Sequence, residues 1–195
     1  ATKGQMKQGI SWLNNLAKVD NGEAELIFYF SGHGLPDENT KEPYIIPVDI
    51  SGSNIQEAIK LEWVFEQLTE HPSKRITVFL DACFSGGAPN QPLIAMKGVK
   101  IPPKPYRLSG SIIVFSSSSG NESSAVYREK QHGLFTYFLL KKLQETQGDV
   151  TYKELKDFII NKVTKESLLI NNKIQTPEVM GSPDIIDMWR EWNLY

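Results

Sequence analysis

Three short, predominantly apolar runs, each ending in a small polar or glycine-containing turn, constrain this chain more than any other feature. Glu25-Leu-Ile-Phe-Tyr-Phe30, Arg75-Ile-Thr-Val-Phe-Leu80 and Ser111-Ile-Ile-Val-Phe115 are rich in β-branched and aromatic residues. They lack apolar–polar alternation, which is the pattern of strands covered on both faces. Between and around them lie stretches with helical spacing. Met6, Ile10, Leu13 and Leu16 repeat within Thr2 to Lys18, and Asn21-Gly22 then supplies a stop. Ile59 to Thr69 resembles a second helix ending near His71-Pro72. Two more are expected over Gly133 to Gln144 and Tyr152 to Val163, the latter with Thr151 as N-cap and Glu154 at the capping-box position. Tyr44 to Val48 reads as a short hairpin arm whose Pro47 argues for a sheet edge, and Lys173 to Val179 as a last strand before an aromatic tail. Strands alternating with helices predict an α/β fold, one domain over residues 1–195, with functional residues gathered beyond the strands' carboxyl ends.

Composition excludes several classes. A formal charge of −2 gives no net attraction to nucleic acid or to anionic membrane surfaces. The apolar runs are far shorter than the roughly 20 residues that span a bilayer, so no transmembrane segment is expected. The first residues, Ala-Thr-Lys-Gly-Gln-Met, lack an initiator methionine and the charged and apolar regions of a signal peptide. With one cysteine, Cys83, neither an intramolecular disulfide nor a four-cysteine zinc site can form. That thiol is either structural or chemical.

Its surroundings favour chemistry. The first strand gives way to Ser31-Gly32-His33-Gly34 and the second to Asp81-Ala82-Cys83-Phe84-Ser85-Gly86-Gly87. Opening a peptide carbonyl requires a nucleophile, a proton shuttle for the departing amine and donors for the oxyanion. Cys83 and His33 suit the first two roles. The backbone N–H groups of Cys83 and Gly34 suit the third, because glycine lets the main chain approach a substrate oxygen. His71 and His132 have no such partners in sequence and read as structural.

Phe-Ser-Gly-His-Gly and Asp-Ala-Cys-Phe-Ser-Gly, with His33 and Cys83 50 positions apart, resemble the motifs of caspases, metacaspases and related cysteine peptidases. The resemblance extends over roughly Thr2 to Gly181 and includes Gly133-Leu-Phe-Thr-Tyr-Phe and Gln175-Thr-Pro. It implies a caspase-like three-layer sandwich with a mostly parallel sheet and a thioester mechanism through Cys83 and His33. It also bears on specificity. Caspases that cut after aspartate typically carry glutamine two residues before the cysteine, whereas metacaspase-like, clostripain-like and paracaspase chains carry aspartate there and take arginine or lysine. Asp81 therefore implies a peptide or protein substrate with a basic residue before the cleaved bond, since a carboxylate pairs with a guanidinium or ammonium and repels an aspartate. A role for Asp81 as a cap of the turn is the other reading open at this point. Ser117 and Ser118 follow the strand that lies beside bound peptide in the family and are candidates to shape the pocket, although four adjacent serines fit a solvated loop equally. Glu122 and Asp49 read as surface and turn residues.

No cofactor is required by this chemistry. Calcium dependence, known for many metacaspases, finds no recognisable loop such as an EF-hand here. A metal-dependent hydrolase built on His33 with Asp49 or Asp81 lacks a second histidine at ligand spacing, and a catalytically inactive peptide-binding module is the alternative from another class. The family begins with a strand, a helix and a second strand that this chain does not supply, so an upstream piece of the same precursor is expected as an associated chain. Gly87 to Gly110 holds five prolines together with Lys97, Lys100, Lys104 and Arg107, where caspases carry a processing linker. Proline follows Lys104 directly, and Lys97-Gly98 and Lys100-Ile101 are the more accessible bonds there.

Overall fold

A computed structural model describes residues 1–84, 101–119, 122, 124 and 126–194. The chain opens with helix α1, Lys3–Val19, whose Thr2 and Gln5 form a reciprocal capping box. Asn21 and Gly22, both at positive φ, turn the chain into strand β1, Glu25–Pro36. There follow β2 (Pro43–Ile46), β3 (Ile59–Lys60), helix α2 (Leu61–Thr69), β4 (Arg75–Cys83) and β5 (Ile112–Ser116). A small separate hairpin of β6 (Val126–Tyr127) and β7 (His132–Gly133) leads into helix α3 (Leu134–Thr146). Helix α4 (Tyr152–Asn171) and β8 (Glu178–Gly181) complete the main elements, and two 3-10 turns, Pro183–Ile185 and Trp189–Glu191, follow.

Six strands form one sheet in the order β3-β2-β1-β4-β5-β8. β1, β4 and β5 make its parallel core, flanked by antiparallel β2 and β8. In β4, Ile76 to Ala82 are all buried, as a largely apolar run without alternation requires, with Thr77 and Asp81 the polar residues among them. Alternate side chains serve two cores. Ile76, Val78 and Leu80 join Ile112 and Val114 against α1 and α2, while Phe79, Ile113 and Phe115 join Phe135, Tyr152 and Ile159 on the side of α3 and α4. Helices thus cover both faces, giving the three-layer α/β sandwich. The Thr77 hydroxyl has a partner in the buried Tyr152 hydroxyl. Among the described residues no helix is long and apolar enough to cross a membrane.

Several boundaries differ from the sequence reading. β1 does not stop at Ser31 but runs through His33 to Pro36, and β4 runs through Asp81 to Cys83. Pairing with neighbours holds these glycine-containing ends extended: Ser31, Gly32 and His33 face Asp81, Ala82 and Cys83, and His33 to Pro36 pair with β2 on the other side. β2 lies inside the sheet, not at its edge, because the two-residue β3 pairs beyond it. Helix α4 continues to Asn171, and the last strand begins at Glu178, not Lys173. The Thr151–Glu154 capping box forms as the spacing predicts. Lys97 and Lys100 lie outside the described residues.

β1 is asymmetric. Along Glu25 to His33 it pairs with β4, but on its opposite side β2 reaches only His33 to Pro36. Among the described residues, therefore, no strand pairs with the free side of Glu25 to Gly32. On the same stretch Ile27 is 55% and Tyr29 46% exposed.

Candidate active site

Cys83 is the last residue of β4, and His33 is its register partner on the adjacent parallel strand β1. Partners in parallel register project to the same face, and side chains two residues apart share it. His33, Ser31 and Tyr29 therefore stand on one face with Cys83, Asp81 and Phe79. It is the face covered by α3, since Tyr29 hydrogen-bonds Thr136 of that helix and Phe79 packs against its core. His33 is exposed and Cys83 half-buried, so both register partners are open to solvent from this face.

Gly34, next in β1, is buried. A Cβ there would lie 2.5 Å from the Phe84 ring and 3.0 Å from the Cys83 carbonyl oxygen, so only glycine lets the two strands approach this closely behind the thiol.

Ser124, beyond β5, meets the sulfur. The Ser124 N–H donates to Cys83 Sγ at 2.6 Å, and its carbonyl oxygen lies 3.7 Å from the same sulfur. Sequence gave no signal for Ser124, whose contact comes from a backbone and not from a side-chain type. Ser117 anchors the chain directly after β5. It has no exposed surface, its N–H donates to the Leu80 carbonyl, and its hydroxyl bonds to the Ala82 carbonyl at 3.2 Å and to the Ser124 hydroxyl. Its own carbonyl accepts from Gln175 Nε2 at 2.7 Å. Among the described residues, Ser118 bonds to the Glu122 carbonyl, at 3.5 Å. Glu122 has a larger part than a surface residue, since its carboxylate accepts from both the N–H and the hydroxyl of Thr176. Gln175-Thr176 thus pins the serine loop from the far side. Asp49 accepts from the Lys3 N–H at the start of α1, away from the site.

Asp81 is almost completely buried beneath this surface. One oxygen, Oδ2, accepts from the Thr136 N–H at 3.2 Å and the Thr136 hydroxyl at 2.5 Å. Thr136 is the third residue of α3, so the carboxylate caps a helix from a neighbouring strand, a helix whose own N-cap, Gly133, has no side chain to do so. Burial pushes the Asp81 carboxyl above its ordinary value, opposed by the Thr136 hydroxyl and N–H, the Ser117 hydroxyl and the nearby His132. Among the described residues no group of three or more histidines, cysteines and carboxylates is gathered closely enough to hold a metal ion.

The family model of the caspase domain matches residues 1–183. The chain belongs to the caspase-domain family. Its fold agrees. A crystal structure of caspase-1 from Spodoptera frugiperda superposes with a TM-score of 0.53 at 15% identity, covering 90% of this caspase-domain chain and 67% of the insect protein. A Geobacter sulfurreducens protein of known structure gives a TM-score of 0.66 at 17% identity over 100% of this chain and 80% of its own. A Desulfuromonadales protein named a probable protease is 27% identical over 139 residues, which is 68% of this caspase-domain chain but 17% of that relative's length. The caspase domain goes with a cysteine-protease type of function.

Proposed function

We propose that the chain is the catalytic part of a cysteine endopeptidase that cleaves after arginine or lysine. The observation that carries this reading is the register pairing of His33 with Cys83 on one face of adjacent parallel strands. The Cys83 sulfur attacks the substrate carbonyl carbon while its proton passes to the His33 imidazole. The carbonyl electrons move to oxygen and return as the amine leaves with the proton from His33, forming a thioester. Water, deprotonated by His33, then releases the carboxylic acid and regenerates the thiol. The backbone N–H groups of Gly34 and Cys83 are assigned to the oxyanion.

Asp81, on the same face two residues before Cys83, is the group assigned to the basic side chain, with Ser117 and Ser118 in the loop walling that side. No cofactor enters these steps. The free side of β1 and the exposed Ile27 and Tyr29 support a further part of the proposal, that an extended segment from the same precursor completes the sheet there. The experiment is to treat the full protein with a peptidyl-arginine acyloxymethyl ketone and map the adduct by mass spectrometry. A single adduct at Cys83, formed faster than with the peptidyl-aspartate analogue, is expected. No adduct, or a preference for aspartate, would overturn the reading.

A further inference from the structure

We propose that Thr136 sets Asp81 for a basic substrate side chain, holding one carboxylate oxygen so that the other is directed at the incoming cation; this rests on the reading of Asp81 as a specificity residue. The Gly133-Leu-Phe-Thr136 motif has no place in the chemistry of the thiol, yet two of its four residues meet Asp81. Both Thr136 donors converge on Oδ2, at 3.2 Å from the main chain and 2.5 Å from the hydroxyl. Oδ1 takes neither of them. The glycine is explained by the same contact, because a Cβ at Gly133 would lie 2.0 Å from Oδ2 and 2.8 Å from the carboxyl carbon.

The arrangement has a direction. A hydroxyl owns one proton, so when Thr136 donates to the carboxylate it must accept from Tyr29, whose hydroxyl is 2.8 Å away. Tyr29, Thr136 and Asp81 then form a chain from the surface of β1 to the buried acid, with every hydroxyl proton pointing toward the charge. The two Thr136 donors, with the Ser117 hydroxyl, favour the ionised carboxylate against burial, and with Oδ2 taken by Thr136 an ammonium or an end-on guanidinium meets Oδ1. A structural cap would need only the N–H bond; the hydroxyl bond is the part that acts on specificity.

The test compares Thr136→Val, Thr136→Ser and Asp81→Asn in the full protein, with peptidyl-arginine and peptidyl-citrulline substrates that differ in the charge of the side chain. For Thr136→Val the expected result is a rise of about tenfold or more in KM for the arginine substrate, with kcat within about threefold and the citrulline substrate unaffected. Thr136→Ser, which keeps the hydroxyl, should restore most of the affinity. If Asp81→Asn keeps the preference for arginine over citrulline, the specificity reading itself fails and this inference with it. If Asp81→Asn loses the preference while Thr136→Val keeps it, the role of Thr136 alone is overturned. Equal losses on both substrates in Thr136→Val, not rescued by serine, would assign Thr136 to stability and also overturn it.

Discussion

At the scale of single residues, the site is a set of neighbours with separate tasks. On the proposed mechanism one imidazole is both base to the thiol and acid to the amine, so His33→Ala should lower kcat/KM by about 100-fold or more. A severalfold loss in peptide hydrolysis would assign the proton transfer elsewhere. Asp81 gives a second prediction, with its sign fixed by burial. Its folded pKa is raised above the ordinary 3.8, so the fold binds this proton more tightly than the unfolded chain does. The stabilisation is complete below that value and is lost as pH rises through the folded pKa. Asp81→Asn should therefore become more stable relative to the parent as pH rises from below 4 toward neutrality, read as the difference between urea midpoints across a pH series. A difference that stays level with pH would mean that folding does not raise the Asp81 pKa. Both residues could be singled out from sequence because an unusual residue type in a glycine-containing segment is a local signal. Ser124 could not, and Thr136 and Gln175 stood out only as members of motifs carried by the resemblance, their roles hidden because each of the three acts by meeting a residue 41, 55 or 58 positions away.

Elements were legible to the extent that their causes were local. The capping box at Thr151 and Glu154 was readable and forms; Thr151→Ala should cost about 1 kcal/mol in chemical denaturation, because it leaves the Glu154 N–H of α4 without its partner. No loss would show that the tertiary contacts of α4 make the cap redundant. The strand ends were not readable. Ser31-Gly32-His33-Gly34 has the composition of a turn, and only pairing with β4 and β2 makes it strand. Helix α3 likewise starts at a glycine without a capping side chain because Asp81 caps it from β4. It follows that Gly133→Ala must push the Asp81 carboxylate aside, with an expected loss of about 1 to 3 kcal/mol in thermal or urea unfolding. A neutral outcome would mean that α3 and β4 can separate without cost.

For the whole molecule, the layers follow from the alternation of apolar runs and amphipathic segments, and the sequence motifs identified the family that the domain match shows. Among the described residues, one side of the β1 main chain has no strand partner over Glu25 to Gly32, and Ile27 and Tyr29 are exposed. An open edge of this length invites pairing with another chain. These residues expressed alone should self-associate in sedimentation velocity, and Ile27→Lys should reduce that association while shifting stability by no more than about 0.5 kcal/mol. A chain that stays monomeric at high concentration would count against an edge that needs covering.

The central claim, that Cys83 is the nucleophile of a peptidase, is tested most directly by the kcat/KM of the full protein and of its Cys83→Ala variant on a peptidyl-arginine substrate, with unfolding curves measured alongside. The account predicts turnover by the parent and none detectable in the variant, with the two melting curves close together because the thiol is half-buried and the change is small. Turnover by Cys83→Ala within tenfold of the parent would contradict it.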